Sequence, residues 1–167
     1  MLAALKARFN GADDFCLREL TAGGQVLYAL FLDGMTSGSD ISDFVVRPLM
    51  ENLRPGTPEE LYAQAQRGAV WCAVCEEADS AEAAADKLTH GYCVVVFPGL
   101  AKALCFEAKS GTRRGPSAPE SENTVKGAKD AFTETIRINT ALVRRHLRTP
   151  ELRLMSKTFG RRTQTNV

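Results

Sequence analysis

Apolar and polar positions alternate loosely over residues 14–20, break at Ala22-Gly23-Gly24, and give way to a nearly unbroken apolar run over Gln25–Leu32. Two strands about a tight turn follow from this pattern, the second buried on both faces. Asp33-Gly34 ends the run. Apolar residues then recur at helical spacing (Ile41, Phe44, Val45, Leu49), which predicts a helix over 40–53 with Ser39 as N-cap and Pro48 bending it or ending its first part. Thr57-Pro58-Glu59-Glu60 has the cap, first-turn proline and third-position glutamate of a helix start, and that helix should end near Gly68. A short strand is expected over 70–75. Ser80 should cap a helix running through Leu88, with Gly91 ending it. Residues 92–97 and 102–108, on either side of Pro98-Gly99, read as a second hairpin.

Beyond residue 110 the pattern changes. Residues 110–123 contain two prolines and two glycines among polar residues and read as an extended connector. The longest helix is expected over 124–147, with Val125, Ala128, Phe132, Ile136, Val143 and Leu147 as its apolar stripe. Thr149-Pro150 stops it, and strands over 152–158 and 162–167 would flank Phe159-Gly160-Arg161. The sequence therefore predicts an α/β (mixed α+β) fold. A small mixed sheet with flanking helices fills a first lobe over 1–112. A linker covers 113–123, and residues 124–167 form a long helix and the first hairpin of a truncated second lobe. A lone hairpin is marginal in water, so it must borrow support from the first lobe or from a partner.

Charge sharpens this division. The 167-residue chain is nearly neutral overall, at +1. Residues 1–110 hold 9 Lys/Arg against 15 Asp/Glu (net −6), and residues 111–167 hold 12 against 5 (net +7). The two parts should face different surroundings. With 44% hydrophobic and 25% charged residues, the chain can build an ordinary globular core. No stretch approaches the roughly 20 apolar residues of a membrane span, and the amphipathic start Met1–Phe9 does not read as a signal peptide.

Candidate chemistry is sparse. The five cysteines are expected as small buried hydrophobes, and Cys72-Ala73-Val74-Cys75 as core rather than as a redox pair or half a zinc site completed by Cys93, Cys105 or His90. In a β-like run its two sulfurs would point to opposite faces. His90 and His146 each close a predicted helix, where a cation suits the dipole. Phosphate-binding glycine motifs do not occur in the sequence, and a solvated helix start is the expectation for Lys126-Gly127-Ala128-Lys129. The basic residues Arg144 to Arg148, Arg153, Lys157, Arg161 and Arg162 have only Phe159 as an aromatic companion, so base stacking on nucleic acid lacks platforms. No catalytic residue, metal or cofactor is expected, and the chain does not read as an enzyme.

A series of short elements runs from residue 114 to the end: Arg114, Pro119-Glu120-Ser121-Glu122, Gly127, Phe132-Thr133-Glu134, Asn139, Arg144-Arg145, Leu152 and Gly160-Arg161-Arg162-Thr163-Gln164-Thr165. In this order they resemble the GerA spore germination family, which includes A subunits of germinant receptors and the stage V sporulation AF protein. Asp14 with Arg18, Leu27-Tyr28 running to Asp33-Gly34, Arg47-Pro48-Leu49 and Leu88-Thr89-His90-Gly91 resemble its earlier segments. Ala118 departs from the family's usual Glu, and Lys126-Gly127-Ala128-Lys129 from its Arg-Gly-Pro.

The resemblance implies the soluble N-terminal domain of a receptor A subunit, active in receptor assembly and nutrient-germinant signalling. It implies B- and C-type subunits as partners, with self-association a further option, and no nucleic acid. It also implies a place at the cytoplasmic face of the inner spore membrane, reached only through a C-terminal region beyond this chain. Arg114, Glu120, Glu122, Glu134, Asn139, Arg144, Arg145, Gly160 and Arg161 become the interaction and linker candidates; Arg114, Glu120 and Glu122 either bond toward the Arg144-Arg145 end of the long helix or, equally, only solvate the connector. The alternative is a cytosolic domain that senses an amino acid or sugar in an interlobe cleft.

Overall fold

The computed structural model describes residues 1–110 and 132–167. The first hairpin forms as the pattern predicts: β1 (Phe15–Ala22) pairs with β2 (Gln25–Leu32) from Phe15↔Leu32 to Ala22↔Gln25. A five-stranded sheet grows from it in the order β1-β2-β4-β5-β3, where β3 is Cys75–Ala78, β4 Tyr92–Val96 and β5 Ala103–Glu107. The fold is α/β as expected, but every ladder in the sheet is antiparallel rather than mixed. The reason lies in the connection through α5 (Ala81–Thr89). This crossover returns β4 parallel to β3 but one strand's width away, and the β4–β5 hairpin fills the gap.

Period-two alternation distributes the core over both faces of the sheet. Leu27, Ala29, Cys93, Val95, Leu104 and Phe106 pack toward the helices between β2 and β3. Leu30, Leu32, Val94, Val96 and Cys105 face α5 and α1 (Leu2–Arg8). β4 is buried along its whole length, which explains its run of valines.

The helical segment after β2 starts at Gly38 with Ser37, not Ser39, as its cap: Ser37 Oγ accepts from the Asp40 amide at 3.3 Å. It continues as α2 (Gly38–Asp40), a π-helical stretch (Ile41–Val46) and α3 (Arg47–Asn52). Pro48 does not end it. Lacking an N–H, Pro48 leaves the Phe44 carbonyl without its i+4 donor, and the Trp71 amide supplies one instead at 3.1 Å. In α4 (Pro58–Gln64) the predicted capping box is present: Glu60 N–H donates to Thr57 Oγ1, and Thr57 N–H donates to Glu60 Oε2 at 2.9 Å. A final π-helical turn, Ala65–Ala69, stops at Gly68. Ser80 caps α5 as expected, accepting from Ala83 N–H at 3.1 Å.

The strand expected over 70–75 starts only at Cys75, because the Trp71 amide is turned to the Phe44 carbonyl; Val74 C=O already accepts from Glu107 N–H of β5 at 3.2 Å. Trp71 N–H goes to Phe44, and the Cys72 thiol donates to the Val74 and Glu107 carbonyls at 3.4 and 3.2 Å. The ladder with β5 begins only at Cys75↔Phe106. Two consecutive glutamates on this edge strand point to opposite faces, and each captures a tyrosine and a lysine. Glu76 accepts from Tyr92 Oη at 2.6 Å and pairs with Lys87; Glu77 accepts from Tyr62 Oη at 2.6 Å and pairs with Lys102 at 3.5 Å. These bonds compensate for the poor strand propensity of Glu.

Nor are all the cysteines buried. Cys93 and Cys105 lie in the core on opposite faces of the sheet, Cys16 and Cys72 are half-buried, and Cys75 is exposed, its thiol raised to about 11 by desolvation and then by Cys72. Among the described residues no group of three or more His, Cys, Asp or Glu is placed to hold a metal ion.

The glutamate–tyrosine bonds set a pH dependence. Hydrogen bonds from Lys87 and Tyr92 hold the Glu76 carboxyl below the usual range, and the Tyr62 hydroxyl does the same for Glu77. Their contribution to stability is complete above the unfolded carboxylate pKa of about 4.3 and is lost as pH falls through the lower folded values. Denaturant midpoints between neutral and acid pH should show this loss, and Glu77→Gln should flatten it. The bond to Glu76 raises Tyr92 to about 12, and burial raises Tyr62 further. The Tyr62 and Tyr92 hydroxyls should therefore ionise above the ordinary value of about 10, which tyrosinate absorbance in alkaline titration checks.

Candidate functional site at the junction of sheet and helix α6

The chain beyond residue 131 returns to the start of the sheet. Helix α6 is Ile136–His146, much shorter than the helix expected over 124–147. Of that prediction, 124–131 lie outside the described residues and 132–135 are not helical. Asn139 accounts for the late start: its Oδ1 accepts from Thr133 N–H and its Nδ2 donates to Thr133 C=O, both at 2.7 Å. This side-chain ring occupies backbone groups that a helix would have used. Of the expected apolar stripe, Val125 and Ala128 lie outside the described residues, Val143 is half-buried, and the rest does not face the sheet. Phe132, Ile136 and Leu147 are exposed, and the face against the sheet is built on Ala141 and Arg144.

Arg144 is completely buried. Its Nε donates to Asp14 Oδ2 and its Nη2 to Asp14 Oδ1, both at 2.8 Å, while Nη1 donates to the Thr149 carbonyl at 3.1 Å. Asp14 is 9% exposed. All three guanidinium nitrogens are engaged, and the fork-to-fork geometry is the one in which Arg and a carboxylate bind most strongly. Asp14 is fixed in turn from β2, since its carbonyl accepts from Asp33 N–H at 2.8 Å. Asp33 also pairs with Arg137, two turns before Arg144 on the same face of α6 and closer to solvent. Asp13 binds the segment after α6: its N–H donates to Leu154 C=O at 2.9 Å, and its Oδ2 accepts from Ser156 N–H at 2.7 Å.

Gly34 lets the helix approach. Its φ is +82°, and a Cβ there would lie 3.1 Å from Ala141 Cβ and 3.3 Å from the Arg137 carbonyl. Beside this contact runs a groove of about 770 Å³ lined by Thr36, Ser37, Asp40, Lys109, Arg137 and Ile138, among others. Its floor is held by Ser37 N–H to Ala108 C=O and Ser110 N–H to Met35 C=O, both at 2.9 Å.

Of the residues singled out from sequence, Arg114, Glu120 and Glu122 lie outside the described residues. Arg144 sits at the centre of the junction, with Asp14 and Thr149 as its partners. Arg145 Nε donates to Ala141 C=O at 3.3 Å, Asn139 shapes the approach to α6, and Glu134 is exposed. Gly160 turns a hairpin of two-residue strands, β6 (Thr158–Phe159) and β7 (Thr165–Asn166), much shorter than the strands expected over 152–158 and 162–167. A Cβ at Gly160 would collide with Thr163, and Arg161 is exposed. Sequence reasoning did not select Asp13, Asp33 or Arg137 for this site. The acidic-to-basic division of the chain was the available signal, because the pairs Asp14–Arg144 and Asp33–Arg137 join its two parts.

A family model described as Bacillus/Clostridium GerA spore germination protein matches residues 3–167. The chain belongs to the GerA family. Among GerA relatives in Bacillus subtilis, it is 30% identical over 159 residues to the uncharacterized membrane protein YfkQ, covering 95% of this chain and 31% of that protein. It is 28% identical over 154 residues to stage V sporulation protein AF, covering 92% of this chain and 31% of that protein. The chain thus spans about a third of the length of these GerA proteins. A crystal structure of the N-terminal domain of the A subunit of the Bacillus megaterium spore germinant receptor GerK3 shares the fold. It has a TM-score of 0.69 and 23% identity, and the match covers 99% of this chain and 60% of that one. Among the described residues no helix is long and apolar enough to cross a membrane.

Arg144→Met should cost about 3–5 kcal/mol, because it strands the Asp14 carboxylate in a site built for a partner. Arg161→Ala, at an exposed position, should stay within about 0.5 kcal/mol. Chemical denaturation of both variants compares the two directly.

Proposed function

We propose that this chain is part of the N-terminal region of a germinant receptor A subunit and acts without catalysis, as an assembly and signalling module in spore germination. The observation that carries this reading is the match of the GerA family model over residues 3–167. The fold shared with a receptor A-subunit domain agrees with it. So do the groups that might have carried chemistry, since they serve local structure: His90 Nδ1 bonds the Asp86 carbonyl at 2.8 Å, and the Cys72 thiol bonds two backbone carbonyls. In this reading the lobe over 1–112 is the docking body, and α6 with the hairpin opens a second lobe that the longer relatives continue. B- and C-type subunits are the partners. The domain works at the cytoplasmic face of the inner spore membrane, to which the remainder of the longer protein holds it.

Light scattering on the chain, alone and mixed with the soluble domains of B- and C-type subunits, tests this. A defined complex with one of them is the expected result. A monomer indifferent to both would overturn the assembly role.

The groove beside α6 supports a second reading, the small-ligand sensor. Its volume suits a small molecule, and Asp40, Lys109 and Arg137 offer both signs of charge. An amino acid or sugar held there at a hundred times its dissociation constant would stabilise the chain by about 2.7 kcal/mol. A melting temperature that stays constant across a panel of such ligands would exclude this reading.

A further inference from the structure

Next to that groove, and sharing Asp40 with it, the Phe44–Trp71 backbone bond has a second consequence. Because Pro48 cannot bond the Phe44 carbonyl, Trp71 N–H does, and this holds the chain entering β3 against the helix. The buried anchor on that stretch is Val70, whereas the Trp71 and Phe44 side chains remain 54% and 48% exposed. Val74, 37% exposed, continues the apolar face. Two shallow depressions of about 230 and 270 Å³ lie here, one lined by Phe44, Val45 and Trp71, the other by Val74 and Lys109. Both share Asp40, Cys72, Ala73 and Glu107. Each is smaller than the usual small-molecule site and suits one or two inserted side chains.

The rim is acidic. Glu107 is engaged by Lys109 at 2.5 Å, whereas Asp40 has no cation partner among the described residues. The lobe around it carries a net −6 over residues 1–110. An exposed tryptophan and phenylalanine beside an uncompensated carboxylate have the composition of a binding hot spot, in which an aromatic cleft supplies affinity and a rim charge supplies orientation.

We propose that the face formed by Phe44, Trp71 and Val74, with Asp40 at its rim, docks a basic amphipathic segment of a partner protein. An apolar side chain of that segment enters between Phe44 and Trp71, and a lysine or arginine one turn away meets Asp40. The proposal rests on the assembly reading and gives it a surface and a partner chemistry.

Trp71 is the chain's single tryptophan, so its fluorescence reports this face alone. The probe is a helical Leu-Lys amphipathic peptide, with its Leu-Glu counterpart as control. The Leu-Lys peptide should shift Trp71 emission to the blue and protect it from acrylamide, and the Leu-Glu peptide should do neither. Asp40→Lys and Phe44→Ser should each weaken the Leu-Lys response about tenfold or more, with circular dichroism confirming that both variants are folded. Glu82→Lys makes the same change in net charge on α5, across the sheet, and should leave the response intact. An unmoved emission, an equal response to both peptides, or equal losses in Asp40→Lys and Glu82→Lys would each overturn the proposal. So would burial of Trp71 that depends on the chain's own concentration without peptide, which would assign the face to a second copy.

The same variants separate this proposal from the assembly reading. A receptor subunit that binds wild type, Asp40→Lys and Phe44→Ser equally well in light scattering would remove this surface and keep assembly. If no subunit binds while the peptide responses follow the expected pattern, assembly fails and the surface stands.

Discussion

The contact between Arg144 and Asp14 constrains everything around it. Removing two charges from water costs several kcal/mol per ion, and the cost is recovered only when both hydrogen-bonding inventories are nearly satisfied. That condition is met here by the second carboxylate oxygen and the Thr149 carbonyl, which leave no guanidinium nitrogen idle. Satisfying it fixes other features in turn. Asp14 must sit where β1 begins, Asp33 must hold its carbonyl from the end of β2, and Gly34 must lack a side chain so that α6 can come close. A buried pair of this kind adds little net stability compared with an apolar contact of equal volume. Its effect is to select one docking geometry for the helix.

This arrangement separates two kinds of surface. The sheet lobe buries both its faces and pins its outer strand through Glu76 and Glu77, so it is a rigid platform. The part after residue 131 is thinner. It has a short helix, a hairpin of two-residue strands, and the large apolar residues Leu147, Met155 and Phe159 at the surface. It is attached to the platform at a few charged and backbone points. The result is a fixed body and an element held in place by a small number of strong contacts. The chain's GerA relatives in Bacillus subtilis are about three times longer.

Elements governed by short-range rules were legible in the sequence. The first hairpin followed from Gly23-Gly24 between apolar runs, the α4 start from Thr57 and Glu60, and the α5 start from Ser80. Errors arose where a distant partner decided. Residues 71–74 look like a strand until the Phe44 carbonyl, freed by a proline, claims the Trp71 amide. Helix α6 starts only at Ile136 because Asn139 closes a ring on Thr133. Within α6 the residues that face the sheet include an arginine, which any hydrophobic periodicity assigns to solvent. Arg144 was selected as one of an Arg-Arg pair, but its partner lies 130 residues away, and no local pattern could supply it.

Native-state hydrogen exchange in the Asp14→Ala variant tests the central claim most directly. If the Asp14–Arg144 pair is what holds the basic part of the chain to the sheet, protection should collapse at the Asp13 amide and across α6, while the amides of β4 and β5 keep theirs. Unchanged protection in α6 would contradict the account. So would a uniform loss across the sheet, which would make the pair a support of the whole fold rather than of this junction.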